Sequence, residues 1–92
     1  MESLRDDILE ILYNNYTKIF RYEKFRLSIS GNKCIISRKN NNLWTVVDEI
    51  DRNKNTGLRK LFLGEKESNY TYYRRVANKF ITYVKGYYYG TK

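Results

Sequence analysis

The sequence predicts an α+β domain: an N-terminal helix, an antiparallel meander of three or four strands, and a C-terminal amphipathic helix. Three observations carry this expectation. Apolar residues recur at helical spacing near both ends of the 92-residue chain. Between them, Lys24-Phe25-Arg26-Leu27-Ser28-Ile29-Ser30 alternates polar and apolar without a break, the pattern of a half-buried strand. Gly31-Asn32 follows, where a two-residue hairpin turn needs a positive φ that glycine takes at no steric cost. A chain of this length folds around one core, so residues 1–92 are expected to form a single domain.

Residues 3–21 read as the first helix. Ser3 is placed to cap it, with Asp6 three positions on, and Leu4, Ile8, Ile11, Leu12, Ile19 and Phe20 supply its buried stripe. The hairpin then runs from Lys24 through the Gly31-Asn32 turn to Lys39. That turn sets Ile29 opposite Cys34 and Leu27 opposite Ile36 on the buried side. The other face carries Lys24, Arg26, Ser28, Ser30, Lys33, Ser37 and Lys39, with Ile35 among them. Asn40-Asn41-Asn42 is a turn. Leu43 to Ile50 reads as a third strand because its β-branched residues crowd in a helix, although Leu43, Val47 and Ile50 also fit one helical face. Asp51 to Gly57 is a polar loop containing Arg52 and Lys54, and Leu58 to Leu63 is a short apolar element, strand or helical turn.

The C-terminal helix is read from Tyr73, Val76, Phe80, Val84 and Tyr87 as its core stripe, flanked by Ala77 and Ile81. Tyr72, Arg75, Lys79 and Tyr83 form an exposed flank on this reading. Gly86 ends the helix after Lys85 as a left-handed cap, leaving Tyr87-Tyr88-Tyr89 as a tail.

Several function classes lose their chemistry. There is no histidine, which removes the usual general base near neutral pH and the commonest zinc ligand. One cysteine without a histidine makes no thiol dyad, and no glycine-rich phosphate loop is present. Asp48, Glu49 and Asp51 could hold a hard cation, but three carboxylates without further oxygen ligands make a weak site; a solvated edge is the simpler reading. The expectation is a protein that is not an enzyme and uses no cofactor or metal. No apolar run approaches the roughly 20 residues of a membrane span, and the acidic start MESLRDD does not resemble a signal peptide. The single Cys34 fits a reducing, intracellular, cytoplasmic setting.

Charge points to a polyanionic partner. The net charge is +8, and its distribution is uneven: residues 1–20 sum to −2 and residues 21–40 to +5. Two surfaces follow as candidate nucleic-acid contacts. One is the hairpin, through Lys24, Arg26, Lys33, Arg38 and Lys39. The other is a flank of the C-terminal helix, through Tyr72, Arg74, Arg75 and Lys79. Cations there supply the salt-sensitive phosphate contacts, and aromatics and arginines can stack on unpaired bases. Neither DNA nor RNA is favoured. The rival class is a small protein-interaction module that occupies an acidic surface of another protein, since exposed Tyr and Arg are also enriched at protein hot spots. Homodimerisation through a spare apolar face around Trp44 and Ile35 is compatible with both.

Asn, Lys, Tyr and Ile supply 38 of the 92 residues, and His, Gln and Pro are absent. In this composition the chain resembles small proteins of AT-rich crenarchaea and their viruses, a resemblance that rests on no motif. It implies a viral protein acting in the host cytoplasm. The expected order of elements is similar to that of double-stranded-RNA-binding domains, without their glycine- and lysine-rich signatures.

Overall fold

A computed structural model describes residues 2–14, 17–52 and 68–90. The elements are α1 (Glu2–Asn14), β1 (Ile19–Tyr22), β2 (Phe25–Ser30), β3 (Lys33–Asn40), β4 (Leu43–Asp51) and α2 (Asn69–Tyr88). The strands form one four-stranded antiparallel sheet in sequence order, so the class is α+β with a meander, as predicted. The apolar element expected at Leu58–Leu63, and most of the loop before it, lie outside the described residues.

The first helix is shorter than its apolar stripe suggested. It ends at Asn14, whose side-chain amide donates to the Glu10 carbonyl, while Ile19, Phe20 and Arg21 belong to a strand. Ser3 lies inside the first turn and does not cap it. Strand β1 went unread because its turn to β2 is Glu23-Lys24, with no Gly, Asn or Asp to signal it. Glu23 sits at φ 54, a left-handed conformation that is unfavourable for this residue type. The turn is fastened from outside: the Lys24 amide donates to the Tyr88 hydroxyl at 3.1 Å. The other two turns obey local chemistry. Gly31 takes φ 59, and Asn41 and Asn42 take φ 53 and φ 68, the pair of positive values that a type I′ hairpin requires.

The β2–β3 register is the predicted one, with Ile29 opposite Cys34 and Leu27 opposite Ile36. Between β3 and β4 the pairing slips: Ile36 faces Asp48 while Ser37 faces Val46, so Val47 is an extra residue in a β-bulge. The bulge breaks the alternation of β4, which is why its sequence also fitted a helix.

Both helices contribute to one core with one face of the sheet. Leu4, Ile8 and Leu12 of α1, Phe25, Leu27, Cys34, Ile36 and Ile50 of the sheet, and Tyr72, Val76, Ala77, Phe80 and Val84 of α2 are all buried. Helix α2 is capped by Ser68, whose hydroxyl accepts from the Thr71 amide at 3.2 Å. At its other end it runs through Gly86 to Tyr88, and the left-handed residue is Gly90, at φ 61. The extra turn past Lys85 carries Tyr87 and Tyr88, whose rings meet Phe25 edge-on at 5.6 and 6.0 Å. Aromatic packing of this kind outweighs the stop signal of a mid-helix glycine, which costs about 1 kcal/mol.

Candidate nucleic-acid interface

Strand parity sorts the predicted residues between two faces. Side chains paired with Leu27 and Ile36 point to the helices, and their neighbours point to the opposite, open face. That open face carries Ile19 and Arg21 of β1, Arg26, Ser28 and Ser30 of β2, Lys33, Ile35, Ser37 and Lys39 of β3, and Trp44, Val46, Glu49 and Asp51 of β4. Of the hairpin cations, Arg26, Lys33 and Lys39 lie there as expected, and Lys24 sits in the adjoining β1–β2 turn.

Arg38 does not. It pairs with Phe25, so it points to the helix side, where its guanidinium lies 5.2 Å from the Tyr87 ring centroid. A candidate set that ran straight along the hairpin ignored the period of two.

At the turn end of the open face, Arg21, Lys24 and Lys39 line one shallow depression with Glu23, Asn41 and Asn42. Next to it, Trp44 reaches back across β3. The Arg26 guanidinium is 4.4 Å and the Arg21 guanidinium 5.3 Å from its ring centroid. Arg26 and Trp44 come from strands on either side of Ser37, so their contact roofs that residue. This explains why Ser37 is only 2% exposed on an otherwise open face. Arg26 is held by the indole rather than by a carboxylate, and its Nε is a buried donor without a hydrogen-bond partner. Among the described residues, Arg21, Lys24, Arg26 and Lys39 have no carboxylate within ion-pair distance.

The far end of the same face is electrically quieter. Lys33 pairs with Glu49 at 3.1 Å, and Asp51 lies opposite Lys33 in the register. The hydrogen bond to Glu49, together with that carboxylate's charge, raises the Lys33 pKa above its ordinary value. The three acids once grouped as a loose cation site are divided by the pleat. Glu49 is on the open face, while Asp48 faces α2, where its carboxylate accepts from the Tyr83 hydroxyl at 3.0 Å and pairs with Lys79 at 3.5 Å.

The predicted α2 flank is largely occupied with its own protein. Tyr72 is core and not flank: it is 2% exposed, and its hydroxyl shares its one proton between Cys34 Sγ at 3.4 Å and the Ile50 carbonyl at 3.5 Å. Burial pushes the Tyr72 and Cys34 pKa values up. Tyr73, expected inside, is half-buried and stacks edge-on with Tyr13 of α1 at 4.9 Å. The helix buries two sides, one toward the sheet and one toward α1, and a single stripe could not show both. Arg75 donates to the Asp51 carbonyl at 3.1 Å, Lys79 pairs with Asp48, and Arg74 donates to the Tyr70 hydroxyl.

Two residues of the interface were missed by sequence reasoning. Arg21 was assigned to the helix, and Trp44 was noted only as part of a spare apolar face. The alternation Phe20-Arg21-Tyr22-Glu23 was the available signal for Arg21. The Asn41-Asn42 turn places Trp44 opposite Lys39 locally, but its contact with Arg21 and Arg26 needed the order of all four strands. No helix of the described residues is long and apolar enough to cross a membrane. No family model matches the chain, and comparison with curated proteins and with solved structures gives no match either.

Proposed function

We propose that this protein binds nucleic acid without catalysing a reaction, through the turn end of the open sheet face, inside the cell. The observation that carries the reading is the grouping of Arg21, Lys24, Arg26 and Lys39 there, with no carboxylate paired to any of them among the described residues. Unpaired cations on one surface keep their charge for a partner, whereas an ion pair has already given up much of its field. The proposed contact is mainly with the phosphate backbone. The α2 flank has a lesser part, since Arg75 and Lys79 already hold partners on β4. The viral origin that the composition suggests is compatible with this activity and plays no part in the argument.

Titrating labelled oligonucleotides by fluorescence anisotropy across a salt series tests the reading. If each of these cations neutralises one phosphate, log affinity should fall against log salt with a slope of about −3 to −4. Affinity that stays flat with salt, or absence of binding at low salt, overturns it. In that case an acidic protein surface is the polyanion to look for, and affinity purification with and without nuclease would reveal it.

A further inference from the structure

Resting on the reading that this face binds nucleic acid, we infer that its ligand is a single strand that stacks on a platform built from Trp44 and Arg26, which Arg21 covers in the free protein. Four strands at about 4.8 Å spacing put some 14 Å between the outer strands before side chains are added, more than the ~12 Å width of the major groove. The face cannot enter a duplex groove. Against a duplex it could touch only phosphate ridges.

Such a contact would waste the middle of the face, which is not purely cationic. Ile19 is 51% and Val46 60% exposed there, with Ile35 and Trp44 half-buried beside them. An open sheet with apolar and aromatic side chains between cations matches the two chemistries of an unpaired strand, flat π-faces and a charged backbone. The single indole of this face, with a guanidinium layered on it, offers stacking area for about one base.

The two arginines have different parts. Arg26 is closer to the indole and half-buried, so it stays as the fixed layer of the platform. Arg21 is exposed and sits farther from the ring, at 5.3 Å. An incoming base displaces it from the indole, and the released guanidinium turns to the adjoining phosphate. Lys24 and Lys39, in the depression next to Arg21, continue the backbone track.

Trp44 is the chain's only tryptophan, so its fluorescence reports on this platform alone when excitation at the red edge leaves the ten tyrosines dark. The probes are oligothymidylate and oligouridylate about ten nucleotides long, and a mixed-sequence duplex of equal length, each followed by Trp44 emission and by anisotropy of a label on the nucleic acid. The expected result is quenching of Trp44 on single-strand binding, with single strands bound at least about tenfold tighter than the duplex. Trp44→Leu should weaken single-strand binding by roughly 5- to 150-fold, the loss of one stacked base, while Trp44→Phe restores most of it and duplex binding moves by less than about threefold. Circular dichroism of each variant checks that the sheet is intact. Duplex binding as tight as single-strand binding, or single-strand binding that leaves Trp44 emission unchanged, overturns the stacking inference and leaves the nucleic-acid reading standing. Absence of any binding by anisotropy overturns both.

Discussion

The open sheet face and the α2 flank carry the same residue types, and they differ in what those residues already hold. On the flank, Lys79 is paired with Asp48, Arg75 is bonded to the Asp51 carbonyl, and Tyr72 is sealed in the core. On the sheet, Arg21 and Arg26 rest on an indole, and Lys24 and Lys39 are paired with no carboxylate among the described residues. Counting cations along a sequence treats the two regions as equals. The physical distinction is how far each group is already engaged within the fold: Lys79 shares its charge with a carboxylate and Arg75 and Arg74 spend donors on neutral oxygens, whereas the sheet cations have no carboxylate paired to them among the described residues. Two of the flank cations have structural work: Arg75 joins α2 to the end of β4 at Asp51, and Lys79 joins it at Asp48 beside the bulge.

The largest effect that should separate the two regions is charge reversal on the sheet. Arg21→Glu with Lys39→Glu should lower oligonucleotide affinity by roughly 100-fold or more, because two attractions become repulsions, and equilibrium anisotropy measures it. Arg74→Gln with Lys79→Gln should lower affinity by less than about fivefold in the same assay. An equal loss from both pairs would erase the comparison. Tyr72→Phe sharpens it from the other direction. Removing a buried hydroxyl bonded to Cys34 and Ile50 should cost about 1 kcal/mol in denaturant unfolding and leave binding unchanged. Smaller still, Lys79→Met should change stability by less than about 1 kcal/mol, since it removes a half-exposed pair with Asp48.

Alkaline pH gives a further check on the core side of the comparison. Burial raises the pKa values of both Cys34 and Tyr72 in the folded chain. In the unfolded chain these groups lose their protons near pH 8.5 and about 10 respectively, while the native state keeps them. Their contribution is therefore complete below those values and lost as pH rises. Thermal unfolding should move to lower temperature above about pH 9, and Cys34→Ala should flatten the first part of that fall. A wild-type profile that is flat through this range would place both groups in water.

What could be read from the chain depended on how local its cause was. The β2–β3 register was legible to the residue, since alternation and the Gly31 turn each determine it from a few neighbours. The β4 strand was legible in kind, but its bulge was not, because the Tyr83 bonds that accompany it come from a distant helix. Strand β1 failed at its turn: Glu23 is held at positive φ while Tyr88, 64 residues away from Lys24, bonds the turn. The phase of α2 was off by one residue at Tyr72 and Tyr73, where two packing partners compete for the apolar surface. Of the five residues of the candidate site, Lys24, Arg26 and Lys39 were therefore visible, while Lys33, read with them, is paired to Glu49. The site's aromatic centre was not, because Trp44 meets Arg21 and Arg26 only after four strands have been set side by side.

The most direct measurement is the amide spectrum of isotopically labelled protein titrated with a short single-stranded oligonucleotide. The account predicts that the largest shifts fall on Arg21, Lys24, Arg26, Lys39 and Trp44, including the Trp44 indole N–H. Arg74, Asn78, Lys79 and Thr82 on the outer side of α2 should move little. Shifts concentrated on α2, with the open sheet face silent, would contradict it.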